Sequence, residues 1–142
     1  MEPQFYNWTC SVCTYTWLIN STGADPNLTR EQAGQIIGYP HCVNPTYGLM
    51  SEDCMINALA QYGFKAIAGY YPFGEALSIC RNHTGAINPQ GMYHFMAVRG
   101  VQSDSIWVAN SAPGYKGIGD YLNEYDYSIL GPTKLIWISG YI

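Results

Sequence analysis

The N-terminal half of the chain has apolar positions at helical spacing, with a capping or stop signal at the ends of each run. Residues 10–19 are mostly apolar or aromatic and precede Asn-Ser-Thr-Gly, which predicts a helix with Cys10 in its first turn. Thr29-Arg30-Glu31-Gln32 matches a capping box and predicts a short helix to about residue 37. Ser51 is the predicted cap of a third helix over residues 52–62. Helices therefore dominate this half.

The pattern changes after Gly63, where most apolar runs become short and rich in β-branched and aromatic residues. Two such runs are joined by residues 100–104, which predicts an antiparallel hairpin. The predicted elements of this half are a strand over 64–70, a helix over 72–81, an extended piece over 85–88, strands over 92–99 and 105–110, a helix over 120–127 and a strand over 134–138. Helices followed by an antiparallel sheet predict an α+β fold.

Composition narrows the class of protein. The chain has 142 residues, of which 48% are hydrophobic and 11% charged, which predicts one compact domain over residues 1–142 and excludes disorder. Six basic residues and a net charge of −4 provide no basic footprint for nucleic acid. We predict no membrane span and no signal peptide, and hence synthesis in the cytoplasm. We also expect a monomer that needs no cofactor.

The five cysteines are an odd number, so at least one thiol stays outside any disulfide framework. Cys10 differs from the others because it opens a predicted helix, where the helix dipole and unpaired N–H groups favour a thiolate. We expect the other three cysteines outside its helix to behave as small buried hydrophobic residues: Cys42, Cys54 and Cys80.

His94 lies in an otherwise apolar and aromatic strand. If the hairpin is centred on Gln102, residue 94 pairs with residue 110, and the amide oxygen of Asn110 can accept a hydrogen bond from the imidazole. A slip of one residue would remove this pairing. His94 could otherwise be a core histidine, and Asn110 could be a turn residue.

These residues carry a resemblance to a known family. Gln4, Cys10 and the apolar helix that follows resemble the Gln-x5-Cys-Gly-x-Ala start of the bacteriocin-processing (C39-type) peptidases of the papain-like superfamily. The segments beginning at His94 and Ile106 are similar to that family's His-x5-Gly and hydrophobic-Asp-Pro segments, and the match spans nearly the whole chain.

The resemblance implies a papain-like fold, with N-terminal helices packed on a C-terminal antiparallel sheet. It implies that Cys10 is the nucleophile, His94 the general base and then acid, Asn110 the residue that orients the imidazole, and Gln4 part of the oxyanion hole. Two positions depart from the family: Ser11 replaces the usual glycine, and Asn110 replaces an aspartate. Papain-like enzymes also use a Cys-His-Asn triad.

Other interpretations of the same residues stay open. Cys10 with Cys13 and Cys80 with His83 have the spacing of zinc ligand pairs, with His41 and Cys42 as spares. Cys10 and Cys13 could instead exchange disulfides, or Cys13 could be the nucleophile. An inactive papain-like module could bind peptides in its groove. Four aromatic residues are candidates to line such a cleft: Trp8, Tyr93, Trp107 and Tyr115.

The expected substrate is a peptide or peptidoglycan. Transporter-linked members of the family process Gly-Gly leader peptides, whereas a stand-alone, Tyr-rich domain resembles the peptidase module of a bacteriophage endolysin. We therefore predict cleavage of peptidoglycan stem peptides in the bacterial cell wall, with leader-peptide processing as the alternative.

Overall fold

The computed structural model describes residues 10–38, 42, 51–89 and 94–142. Three helices come first: α1 (Cys10–Ser21), α2 (Arg30–Ile37) and α3 (Glu52–Ala60). Thr29 and Gln32 form the reciprocal bonds of the predicted capping box, and the Ser51 hydroxyl accepts a bond from the backbone N–H of Cys54. These local signals thus begin α2 and α3 where the sequence predicts.

The rest of the described chain forms one antiparallel sheet with two more helices. Its strands are β1 (Phe64–Tyr71), β2 (Gly85–Pro89), β3 (Met96–Gln102), β4 (Ser105–Ala109), β5 (Tyr121–Leu122) and β6 (Thr133–Tyr141), in the order β1-β6-β2-β3-β4-β5. The helices are α4 (Phe73–Asn82) and α5 (Glu124–Leu130), and a short 3₁₀ turn spans Tyr115–Gly117. The predicted α+β class is confirmed.

The predicted helix over residues 120–127 is wrong in its start. Tyr121 and Leu122 pair with β4, and Leu122 is buried in the core. Asn123 then caps α5 through a capping box with Asp126. The helix therefore begins after the edge strand and runs three residues further than expected.

Helices cover both faces of the sheet. Alternate residues of β2 point to opposite faces, so Ala86 packs with the N-terminal helices and Ile87 with α4. The first hydrophobic cluster holds α1, α2 and α3 against the sheet, as the sequence predicts, and it contains Cys10 and Phe95. The second cluster holds α4 and α5 and contains Cys80.

Close packing of β2 against β6 gives Gly85→Ala a large expected effect. A Cβ atom at Gly85 would lie 2.6 Å from the Cα of Trp137 and closer still to the carbonyl oxygen of Ile136. Both atoms belong to backbone that cannot rotate away, so we expect a loss of about 3 kcal/mol in the free energy of unfolding. Chemical denaturation measures this loss.

Gly74→Ala is the matched control. A Cβ atom at Gly74, in α4, would have no neighbour within 4 Å. This variant should gain about 0.5 to 1 kcal/mol from the reduced backbone entropy of the unfolded state. Equal stabilities of the two variants would contradict the close β2–β6 approach.

The structure corrects the expectation for two cysteines. Cys42 and Cys54 are half-buried rather than buried, and they form a disulfide with their Cα atoms 6.0 Å apart. Cys10, Cys13 and Cys80 form no disulfide, in agreement with the odd cysteine count.

Candidate active site

Cys10 is the first residue of α1 and is fully buried in the first hydrophobic cluster. Its Sγ atom accepts a hydrogen bond from the backbone N–H of Phe95 at 3.4 Å. Phe95 directly follows His94, so the fold brings the thiol to the backbone next to the imidazole although the two residues are 84 positions apart.

His94 and Asn110 meet at the ends of two neighbouring strands. His94 lies just before β3 and is 3% exposed, and Asn110 lies just after β4. The Nε2 atom of His94 and the Oδ1 atom of Asn110 are 2.7 Å apart. The contact predicted from the hairpin is therefore present.

The register that produces this contact differs from the predicted one. Ser103 and Asp104 form the turn, and the ladder begins with Gln102 opposite Ser105. Continued without interruption, this pairing would place His94 and Asn110 on opposite faces of the sheet. A bulge between Val98 and Gly100 adds one residue to β3 and restores a common face.

Beyond the bulge, Ala97 lies opposite Ala109. Continuing this pairing puts residue 96 opposite Asn110, so His94 and Asn110 are diagonal neighbours rather than the directly opposed pair predicted. Diagonal positions are within reach of long side chains.

The surroundings of Asn110 fix the tautomer of His94. The Asn110 Nδ2 group donates to the carbonyl oxygens of Ile118 at 3.3 Å and Gly119 at 3.2 Å. Its Oδ1 atom must then face the other way, where it also accepts from the backbone N–H of Ala112 at 2.9 Å. An amide oxygen only accepts, so His94 Nε2 carries the hydrogen and Nδ1 has the lone pair that can take a proton.

The loop after Asn110 also covers the imidazole. The Tyr115 ring centroid lies 5.8 Å from that of His94, with the planes tilted by 60°. Of the other aromatic residues predicted to line a cleft, Trp107 stacks on Tyr121 and lies under the Arg99 guanidinium. Gln4, Trp8 and Tyr93 lie outside the described residues.

Burial sets the protonation of the pair. Desolvation raises the pKa of Cys10 above its ordinary value, although the N–H of Phe95 opposes this shift. Desolvation also lowers the pKa of His94, opposed by the bond to Asn110. Both shifts favour the neutral forms, a protonated Cys10 thiol and an uncharged His94 imidazole. Burial therefore opposes the thiolate that the helix N-terminus is expected to favour at Cys10.

Comparison with solved structures identifies the architecture. A double-glycine motif protease from an AMS/PCAT transporter, in complex with the leader peptide, matches with a TM-score of 0.68 and 14% identity over 96% of this chain and 88% of that chain. The peptidase domain of Streptococcus ComA, a bifunctional ABC transporter of a quorum-sensing pathway, matches with a TM-score of 0.68 and 10% identity over 98% and 97%. The chain has the fold of a C39 peptidase domain. No family model and no curated protein matches the sequence.

A zinc site built from the two predicted ligand pairs is wrong, because the pairs do not meet, and the spare ligand His41 lies outside the described residues. Cys10 packs in the cluster on one face of the sheet and Cys80 in the cluster on the other. The ring of His83 bonds through Nδ1 to the carbonyl oxygen of Ile138. Among the residues that the structure describes, no group of three or more His, Cys, Asp or Glu side chains is arranged to hold a metal ion.

Cys13 occupies a different part of α1. It lines a cavity of about 250 Å³ with Thr16, Trp17 and Leu28, on the side of α1 that faces α2. Cys10 instead contacts the segment that carries His94, through the backbone N–H of Phe95.

The neutral state of Cys10 and His94 predicts how alkylation of the thiol depends on pH. Iodoacetamide reacts with the thiolate, so alkylation of Cys10 should accelerate with pH and reach half its limiting rate above the ordinary value of 9.0. Cys80, whose pKa burial raises to about 12, is an internal reference that should react last. Peptide mapping by mass spectrometry measures both rates. A rate for Cys10 that is already limiting at neutral pH would contradict the neutral pair.

Proposed function

We propose that this chain is a cysteine peptidase that processes leader peptides. The observation that carries the proposal is the connected path from Asn110 through the His94 imidazole to the Phe95 amide and Cys10, set in a C39 peptidase fold. Asn110 orients the imidazole, His94 is the base and then the acid, and Cys10 is the nucleophile.

Acylation begins from the neutral pair. His94 Nδ1 takes the thiol proton as Cys10 Sγ attacks the peptide carbonyl carbon, and the carbonyl oxygen becomes an oxyanion. The Cys10 backbone N–H and the Gln4 side chain are proposed to donate hydrogen bonds to this oxyanion. The C–N bond then breaks as His94 returns the proton to the leaving amine.

Deacylation uses the same base. His94 Nδ1 removes a proton from water as the water oxygen attacks the thioester carbonyl. The C–S bond breaks, the thiol regains its proton, and the new carboxyl product leaves. The scheme balances with no cofactor.

Leader peptides are the substrate class that the comparisons favour. One matched structure is a double-glycine motif protease in complex with the leader peptide, and the other is a peptidase domain of a transporter. These comparisons give no support to the prediction of a bacteriophage endolysin. Among the described residues, no helix is both long and apolar enough to cross a bilayer.

Two substrates test the proposal side by side. One is a synthetic leader ending in Gly-Gly and followed by a cargo peptide, and the other is purified bacterial cell wall. We expect one cut after the second glycine, seen by mass spectrometry, and no new amino groups from the wall. Cleavage should disappear in Cys10→Ala and persist in Cys13→Ala, which removes the neighbouring thiol of the same helix.

Other results would overturn the proposal in different ways. Release of amino groups from cell walls, with the leader peptide intact, would indicate the endolysin. Binding of the leader without cleavage would indicate a peptide-binding module. Loss of cleavage in Cys13→Ala, with activity retained in Cys10→Ala, would assign the nucleophile to Cys13.

A further inference from the structure

The backbone that carries His94 is buried before the strand ladder begins. His94 and Phe95 are 3% and 1% exposed, yet β3 starts at Met96, which pairs with Ile87. Buried backbone N–H and C=O groups need hydrogen-bond partners, which a sheet would ordinarily supply. The peptide groups at residues 94 and 95 must obtain theirs from elsewhere.

Side chains supply these partners. Asn88, in β2, donates from Nδ2 to the carbonyl oxygen of His94 at 2.7 Å. The N–H of Phe95 donates to Cys10 Sγ at 3.4 Å, and the hydroxyl of Thr14 donates to the carbonyl oxygen of Phe95 at 3.2 Å. Both backbone polar groups of Phe95 are therefore bonded to side chains of one helix.

Helical spacing explains how α1 makes both contacts. Cys10 and Thr14 are four residues apart, so their side chains lie on the same face of α1. Cys10 contacts the N–H of Phe95 and Thr14 contacts its carbonyl oxygen. Together the two bonds fix both the distance of α1 from this segment and the position of α1 along it. Since His94 is the preceding residue, the same two bonds set the position of the imidazole relative to the thiol.

We propose that Thr14 is a positioning residue that holds the base-bearing segment 94–95 in register with the nucleophile. The proposal rests on the function proposed above, because it concerns the geometry of that Cys–His pair. A misplacement of about 1 Å can lower a rate about a hundredfold, so one hydrogen bond at this position can matter more to catalysis than to stability.

Thr16 shows that the role of Thr14 does not follow from residue type alone. Both threonines are buried in α1, at 0% and 6% exposure for Thr14 and Thr16. The Thr16 hydroxyl bonds to the carbonyl oxygen of Val12 within its own helix, at 2.8 Å. Thr14 instead bonds across the interface to Phe95. The two residues are therefore a matched pair for substitution.

Thr14→Val and Thr16→Val test the proposal. Valine keeps the shape of threonine and removes the hydroxyl, so both variants lose one hydrogen bond. We expect kcat for the leader peptide to fall about 10- to 100-fold in Thr14→Val with KM changed less than threefold, and to stay within about twofold of wild type in Thr16→Val. Thr14→Ser, which keeps the hydroxyl, should recover most of the lost kcat.

Alkylation of Cys10 gives a second readout that needs no substrate. The hydrogen bond from the Phe95 N–H to Cys10 Sγ favours the thiolate. Loss of the Thr14 bond frees the Phe95 peptide group and weakens this hydrogen bond. The pH midpoint of Cys10 alkylation by iodoacetamide should therefore rise in Thr14→Val and not in Thr16→Val. Should Thr14→Val not fold, Thr14→Ala replaces it in both assays.

Equal kcat values and equal alkylation midpoints in the two valine variants would overturn the positioning role. If wild type cleaves no peptide, the proposed function fails, and the alkylation midpoints alone then test whether Thr14 positions Cys10. A midpoint shift confined to Thr14→Val upholds the positioning of Cys10, and equal midpoints overturn it.

Discussion

Replacement of His94 by glutamine is expected to lower kcat for the leader peptide by about three orders of magnitude, within the range that a positioned general acid–base supplies. The buried Cys10 thiol has a raised pKa and is protonated at neutral pH, so attack requires a base that removes its proton. Glutamine can still donate to Asn110, which keeps the orienting bond, but it has no basic nitrogen. Single-turnover kinetics with excess enzyme measure the acylation step directly.

His83→Gln is the control for this variant. His83 lies at the end of α4, where its ring bonds to the carbonyl oxygen of Ile138 and contacts Trp137. The same substitution there should leave kcat within about twofold of wild type, since surface and edge changes have small effects. A similar fall of kcat in both variants would show that His94 acts through stability rather than as the base.

Local sequence signals account for much of the architecture and for the identity of the candidate site. Thr29 and Ser51 begin their helices as predicted, because a capping side chain and its backbone partners are close in sequence. The hydrogen bond between His94 and Asn110 is also as predicted, although the register that leads to it is not.

The missed features depend on tertiary structure. A bulge between Val98 and Gly100 decides whether His94 and Asn110 share a face. Gly100 is a sequence signal for it, because a glycine inside a strand often marks a bulge, but the predicted hairpin assigned this residue to the turn. The bond between Cys42 and Cys54 depends on the approach of their Cα atoms to 6.0 Å in the folded chain, which their spacing in the sequence does not show. Thr14 is an ordinary helix residue until β3 packs against α1.

The protonation of Cys10 is a further case. Its place at a helix N-terminus is visible in the sequence and favours the thiolate. The amount of apolar structure around it becomes known only from the packed core, and burial there raises the pKa of the thiol. Sequence alone therefore shows the effect of the helix N-terminus on the Cys10 pKa but not the opposing effect of burial.

Asn110→Asp is expected to have the second large effect, because this site is built for an amide. The Nδ2 group donates to two carbonyl oxygens, of Ile118 and Gly119, and a carboxylate would face both without a hydrogen to donate. Each lost hydrogen bond costs about 1 kcal/mol, and repulsion between the oxygens adds to this. The loop that holds Tyr115 over His94 should loosen, and the melting temperature should fall.

The same substitution should move the pH dependence of kcat/KM. An added negative charge favours every protonated state of the Cys10–His94 pair, so both pKa values of the pair rise and both limbs of the profile move to higher pH. On the acid limb, each pH unit of this displacement lowers kcat/KM about tenfold, because a protonated imidazole cannot accept the thiol proton. The fall in kcat/KM of Asn110→Asp relative to wild type should therefore be greatest at acid pH and smaller near pH 9.

Asn110→Ala separates the charge from the lost amide. Like Asn110→Asp it removes the bonds to Ile118 and Gly119, but it also removes the bond to His94 and adds no charge. The value of kcat/KM should therefore fall at all pH values while the acid limb does not move upward. An upward displacement in Asn110→Asp alone would locate the effect in the electrostatics of the imidazole. Identical profiles for the two variants would mean that Asn110 serves only to anchor its loop, and Asn110 would then have no part in setting the protonation of His94.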